Sequence, residues 1–339
     1  MTATHPTSNT TSDTTLAGDS EANNPSKKWM WAKRIFTIFF FILIPFLLYT
    51  VLKKIEWQEV TDALKSYDMS ALLPTLAIAL CSYLVFASYD LIGKRYTGHP
   101  LSTWKVIPLG FVCYAFNLNL STWVGGIAMR LRLYSRLGLN VPTITKIFTL
   151  SVITNWLGYI IAAGTIFALG LINLPDNWGI GTTSLRIIGV VMLAAAISYF
   201  VACKCAKRRS FSLFKHEFEL PQLNMALAQA GLAITNWSLM GLIIFLLLPE
   251  GDVTYPTVLG ILLLSSIAGV ITHIPGGIGV LETIFITMLQ HQLSQGSILA
   301  ALICYRIVYF LIPLAIAFII YLFLESQAKK TRENLQSRK

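Results

Sequence analysis

Charge is scarce in this sequence. Only 12% of its 339 residues are Asp, Glu, Lys or Arg, while 55% are hydrophobic. A soluble domain carries roughly 25% charged residues, so the shortage excludes an ordinary soluble protein. Catalytic signatures are missing too. There is no Gly-x-Ser-x-Gly elbow, no Walker loop, no Glu-x-x-His and no His/Cys cluster of metal-ligand spacing, so covalent, nucleotide-driven and metal-assisted chemistry lose their usual grounds. No cofactor is expected. The five cysteines (Cys81, Cys113, Cys203, Cys205 and Cys304) fall inside or at the ends of apolar runs and read as small membrane-helix residues.

What the chain has is long apolar segments, a mean hydropathy of +0.65 and a net charge of +10. The positives sit in short loops between the segments. That pattern places them at a cytoplasmic surface beside anionic lipid rather than on nucleic acid. Residues 1–26 are polar and read as a disordered cytoplasmic tail, too polar for a signal peptide. Residues 27–325 read as an integral membrane domain, and 326–339 as a charged cytoplasmic tail. Spans are expected at 35–52, 71–92, 144–171, 187–203, 222–248 and 298–324, each long enough for a bilayer.

Two further apolar segments do not fit simple crossings. Residues 106–124 carry Pro108, Asn117 and Asn119, end in Gly125-Gly126, and are flanked by basic residues on both sides. Residues 257–290 carry His273, Pro275, Gly276, Gly277, Gly279 and Glu282. Proline and glycine break a membrane helix, and an intramembrane carboxylate is costly unless protein or a water-filled cavity surrounds it. Positive-inside bookkeeping makes both segments re-entrant hairpins, entering from opposite faces. Gly125-Gly126-Ile127 recurs as Gly276-Gly277-Ile278, an offset of 151 (276 − 125) that carries spans of the first half (35–172) onto spans of the second (186–324). The expected fold is therefore an all-α polytopic membrane protein with about six full transmembrane helices, two opposed re-entrant hairpins and an inverted-topology repeat.

Few ionisable residues remain inside the apolar segments. Arg130 and Arg306 are candidates to attract an anionic head group, with Glu282 and Asp90 balancing or gating them. Helix N-termini at Gly125-Gly126 and Gly276-Gly277 would add backbone N–H groups and a favourable dipole end. The site is expected between the two hairpin tips, with opposite charges from opposite halves. His273 and Glu282 are candidates for a proton relay. The blander alternative makes Glu282 and Arg306 a structural ion pair and lets Asp90, Arg130 and Arg132 snorkel to the cytoplasmic interface. Arg132 and Arg136 read as interfacial anchors, and Asn155 and Asn236 as interhelical hydrogen-bonding residues.

Gly125-Gly126-x-x-x-Arg130-x-Arg132-x-Tyr134 and Pro275-Gly276-Gly277-x-Gly279-x-x-Glu282 together resemble the transmembrane region of lysylphosphatidylglycerol synthases and their stand-alone bacterial inner-membrane relatives. The resemblance covers most of residues 30–325. It implies translocation of aminoacylated phosphatidylglycerol between leaflets, with Arg130, Glu282 and Asp90 at charged positions that matter there. After Leu324 only a short charged tail remains, so lysyl transfer by this chain is not expected. Expected partners are membrane phospholipids, anionic ones such as phosphatidylglycerol or cardiolipin first. The expected role is lipid translocation in the bacterial inner membrane, facilitated or ion-coupled, with both termini cytoplasmic. The alternative is a non-transporting lipid-binding scaffold for a phospholipid synthase. A lipid-linked-sugar enzyme is disfavoured by the lack of an acidic external loop. Self-association is left open.

Overall fold

The computed structural model describes residues 58, 65, 67, 69–120, 122–172, 181–205, 210–213, 216–272, 277 and 279–336. The expected tail at 1–26, the span at 35–52, His273, Pro275 and Gly276 lie outside the described residues. Five described helical stretches are long and apolar enough to cross a membrane: Leu72–Thr97, Val141–Ala168, Thr182–Cys205, Leu223–Leu247 and Gln295–Ser326. They fall on five of the six spans expected from hydropathy.

The helices in order are α1 (Met69–Thr97), α2 (Thr103–Asn119), a π-helical segment Thr122–Ala128 running into α3 (Met129–Arg136), α4 (Val141–Ala168) and α5 (Thr182–Cys205). After a loop come α6 (Leu223–Leu247), α7 (Tyr255–Thr272), α8 (Val280–Leu289) and α9 (Gln295–Arg306). A second π-helical segment, Ile307–Leu311, joins α9 to α10 (Ile312–Gln336). One departure from an all-helical chain is a small antiparallel hairpin of β1 (Ser210–Leu213) and β2 (His216–Glu219). It lies in the basic stretch after α5, where only a loop was expected, and its backbone register pairs residue 211 with 218.

Local sequence explains the helix starts. The Asn140 side chain accepts the Thr143 N–H at 3.0 Å, and Pro142 follows in the first turn of α4, where its missing donor costs nothing. Ser294 caps α9 in the same way through the Ser297 N–H. α1, α4 and α6 pack on one another and form the centre of the bundle. Small residues let them approach closely. A Cβ on Gly158 would come within 2.3 Å of the Ala233 Cβ, the close contact expected where lipid supplies no hydrophobic drive between helices. α5 leans mainly on α4 and leaves Ile187, Val190, Val191 and Ile197 exposed.

Each half holds a pair of shorter helical arms. α2 folds back onto the π-helical segment Thr122–Ala128, and α7 onto α8. The first turnaround needs glycine: a Cβ on Gly125 would lie 2.0 Å from the Asn117 nitrogen and 2.1 Å from the Phe116 carbonyl carbon. At the second break Gly277 and Gly279 take left-handed φ values of 59° and 86°, which glycine adopts at little cost. Shifted by the 151-residue offset, α1 falls on α6 and α2 on α7, each to within three residues at either end.

Candidate functional site

The four charged candidates are brought together in two pairs, and each pair forms within one half of the chain. Arg130, on α3, sits against Asp90 of α1: Nη2 donates to Oδ1 at 2.9 Å and Nε to Oδ2 at 3.3 Å. Nη2 also reaches Ser151 Oγ on α4 at 3.3 Å, and Nη1 reaches the Gly126 carbonyl at 3.2 Å. Four hydrogen bonds thus engage a group with five N–H donors. Asp90 takes a third bond, from the Tyr134 hydroxyl at 2.9 Å. Both charged side chains are fully buried (3% and 0% exposed). They do not snorkel to an interface. Desolvation of two ions is offset only by such near-complete partnering.

The second pair is Glu282 of α8 and Arg306 at the end of α9. Arg306 Nε donates to Glu282 Oε1 at 2.6 Å, and Nη2 donates to the Gly277 carbonyl at 3.3 Å. The other oxygen of Glu282 accepts the Gly279 N–H at 2.8 Å. Gly279 is the N-cap of α8 and Glu282 its third helical residue, the position from which a glutamate closes a capping box. The helix dipole end at this break is therefore met by the chain's own carboxylate. Two expectations change here. The pairs do not join opposite charges from opposite halves, and neither Gly126 nor Gly277 opens an α-helix. Gly125 and Gly126 lie inside the π-helical segment, and α8 begins three residues after Gly277.

A cleft of about 200 Å³ opens beside the first pair. Arg130, Ser151, Asn117, Asn155 and Tyr114 supply its polar wall, while Phe86, Phe148, Trp156, Trp237 and Met240 supply its apolar one. Leu118 near the end of α2 and Val270 near the end of α7 both reach it, so the first arms of both helical pairs stop at the same space. Of the four charged candidates only Arg130 lines it. Asp90 stands behind Arg130, and Glu282 and Arg306 lie elsewhere. Asn155, expected as an interhelical hydrogen-bonding residue, faces the cleft instead. Asn236 does bridge helices, accepting from Ser82 Oγ at 2.8 Å.

Beneath the cleft a buried hydroxyl cluster crosses the bundle. The Tyr309 hydroxyl lies 2.8 Å from that of Tyr114 and 2.9 Å from Ser82 Oγ, and Tyr83 donates to the Tyr309 carbonyl at 2.9 Å. Ser82, Ser151 and the tyrosines at 83, 114 and 309 were not singled out in the sequence. Their only signal is polar atoms spaced along apolar spans, which is weak alone. Arg132 and Arg136 both bind Glu325 of α10, Arg132 at 3.4 Å, and Arg132 also sits 5.7 Å over the Tyr321 ring. Arg132 is buried, so it ties α3 to α10 rather than reaching lipid head groups. His99, in the turn after α1, is buried, with Nδ1 accepting the Leu101 N–H at 3.3 Å. Burial first, then the Lys94 charge, hold its pKa below the ordinary value of 6.5, with Asp90 opposing them.

Residues 34–317 match the family model described as the lysylphosphatidylglycerol synthase TM region. The chain is 50% identical over 306 residues to inner membrane protein YbhN of Escherichia coli (strain K12), covering 90% of this chain and 96% of that one. It is 29% identical over 263 residues to a protein of Synechocystis sp., covering 77% and 81%. Phosphatidylglycerol lysyltransferase of Bacillus subtilis (strain 168) is 21% identical over 277 residues, which span 77% of this chain but 30% of the lysyltransferase. The chain belongs to the lysylphosphatidylglycerol synthase TM region family and is an integral membrane protein.

Proposed function

We propose, from that membership, that the protein moves a phospholipid, an anionic one such as phosphatidylglycerol first, between the leaflets of a bacterial inner membrane. The observation that carries this reading is the Arg130-lined cleft at the ends of α2 and α7. A polar space inside an apolar bundle is costly, and intramembrane ionisable groups mark a pathway by default. Arg130 is held there by Asp90, Tyr134 and Ser151, so it offers a fixed donor for a phosphate oxygen while its net charge is already balanced. The two helical pairs are the re-entrant hairpins of an inverted repeat in this reading, with six crossings and both termini in the cytoplasm. The movement is facilitated or ion-coupled, and Glu282 and His273 are the proton candidates.

A second reading has an observation of its own. Both ion pairs are closed within the protein, as they would be in a scaffold that binds lipid or a phospholipid synthase without moving anything. Proteoliposomes with fluorescent phosphatidylglycerol, cardiolipin or phosphatidylethanolamine separate the two. Transport requires scrambling by the wild type that Arg130→Ala reduces by at least tenfold. Wild-type protein that binds these lipids but scrambles none of them leaves the scaffold.

A further inference from the structure

One short segment grips both helical pairs. Arg306 closes α9 and holds the second pair, through Glu282 on α8 and the Gly277 carbonyl at the break. Three residues later, Tyr309 holds the first pair through the Tyr114 hydroxyl on α2 at 2.8 Å. The next carbonyl, that of Phe310, accepts from Asn119 Nδ2 at the end of α2 at 3.4 Å. In an α-helix, residues three apart are neighbours on one side of the helix. The intervening backbone is π-helical over Ile307–Leu311. Its wider i→i+5 turn carries Tyr309 off the face that Arg306 occupies, and such turns recur at functional sites. The carbonyls at 309 and 310 that the turn presents are taken up by Tyr83 and Asn119.

We infer that this π-helical turn is a coupling element: it holds both helical pairs in one arrangement, so that loosening either one loosens the other. If the turn rewinds to α geometry, Tyr309 swings back toward the Arg306 face. The grip on α2 is then lost while that on α8 is redirected. Two discrete arrangements of one packed segment are what a two-state coupling requires. Such coupling is reciprocal. The inference concerns the motion of the site proposed above and rests on that reading only for its meaning in transport.

Amide exchange followed by mass spectrometry on the full chain in nanodiscs tests it without any lipid assay. Tyr309→Phe keeps the ring and removes the hydroxyl bonds to Tyr114 and Ser82. Exchange at residues 112–119 should accelerate about fivefold, the scale of one hydrogen bond, and exchange at 280–289 should accelerate with it. Glu282→Gln, which loosens the other pair, should accelerate 280–289 and also 112–119. Residues 185–200 of α5, which lies against α4 and α6, should keep the wild-type rate in both variants. Acceleration confined to the pair whose bond was removed overturns the coupling, and so does equal acceleration in α5. Reciprocal exchange effects in a protein that scrambles no lipid would sink the transport reading and leave the coupling standing.

Discussion

Arg130 and Asp90 lie forty positions apart and meet through two separate nitrogen-to-oxygen contacts, at 2.9 and 3.3 Å, in a place neither can leave without losing every other bond it makes. Tyr134 supplies Asp90 with a third donor, and Ser151 and the Gly126 carbonyl occupy Arg130. The pair is thus a joint between α1, α3 and α4 as well as the charged wall of the cleft. Those two roles respond differently to substitution.

Asp90→Asn leaves an uncompensated guanidinium and should cost about 3–5 kcal/mol, the usual penalty for breaking a buried pair from one side. Arg130→Gln should cost a similar amount through the stranded carboxylate. The double variant removes both charges and keeps an acceptor for Tyr134, so most of the stability should return. Transport should not return, because no cation then lines the cleft. Thermal melting of purified protein and scrambling by the same preparations check this together. Recovery of both properties in the double variant would make the pair structural alone.

Glu282 separates along another axis. Glutamine at this position can still accept the Gly279 N–H and preserve the cap, while alanine cannot. Glu282→Gln should lose only the charge contribution to Arg306, and Glu282→Ala should cost about 1 kcal/mol more, the scale of an N-cap. A scrambling rate that falls with Gln as steeply as with Ala assigns Glu282 a role in transport. A rate that tracks melting temperature across both variants assigns it to holding α8.

The capping role of Glu282 was legible, because Gly279-x-x-Glu282 has capping-box spacing, yet the cost of an intramembrane carboxylate drew the eye to function first. The five described spans were legible for a plain reason: hydropathy is a property of composition. The pairing of charges was not. Arg130 reaches Asp90 through the turn at Gly125, and Arg306 reaches Glu282 through the turn between α8 and α9, and no local pattern encodes the angles of either. Tyr309 was hidden for a sharper reason. Helical periodicity assigns it the side of Arg306, and nothing in the sequence marks the π-helical turn from which it meets α2. The β1–β2 hairpin was missed because five basic residues from Lys204 to Lys215 mask two short alternating segments.

Gly125 should tolerate nothing larger. An alanine Cβ there would meet backbone atoms of α2 at 2.0–2.3 Å, and backbone, unlike a flexible side chain, has no cheap way to give. Overpacking costs about 1–3 kcal/mol where side chains can move, so this site should exceed that range, and Gly125→Ala should fall sharply in folded yield. Gly231 on α6 is the control. Nothing lies within 4 Å of where an added methyl would stand, so Gly231→Ala should be neutral or gain about 0.5–1 kcal/mol from helix propensity. Size-exclusion profiles of both variants, run side by side, give the comparison.

His99 gives the protein a pH dependence of known sign. Its folded pKa lies below 6.5, because burial and the nearby Lys94 disfavour the charged ring, while in the unfolded chain it returns to about 6.5. Between those two values the unfolded state binds more protons, so stability rises with pH. The full contribution of the neutral ring is therefore present above about 6.5 and is lost as the pH falls through the folded value. The melting temperature should hold level from pH 8 to 7 and decline below about 6.5. His99→Gln cannot take up the proton and should flatten the part of that decline that His99 causes. An unchanged slope in the variant would assign the acid sensitivity to groups other than His99.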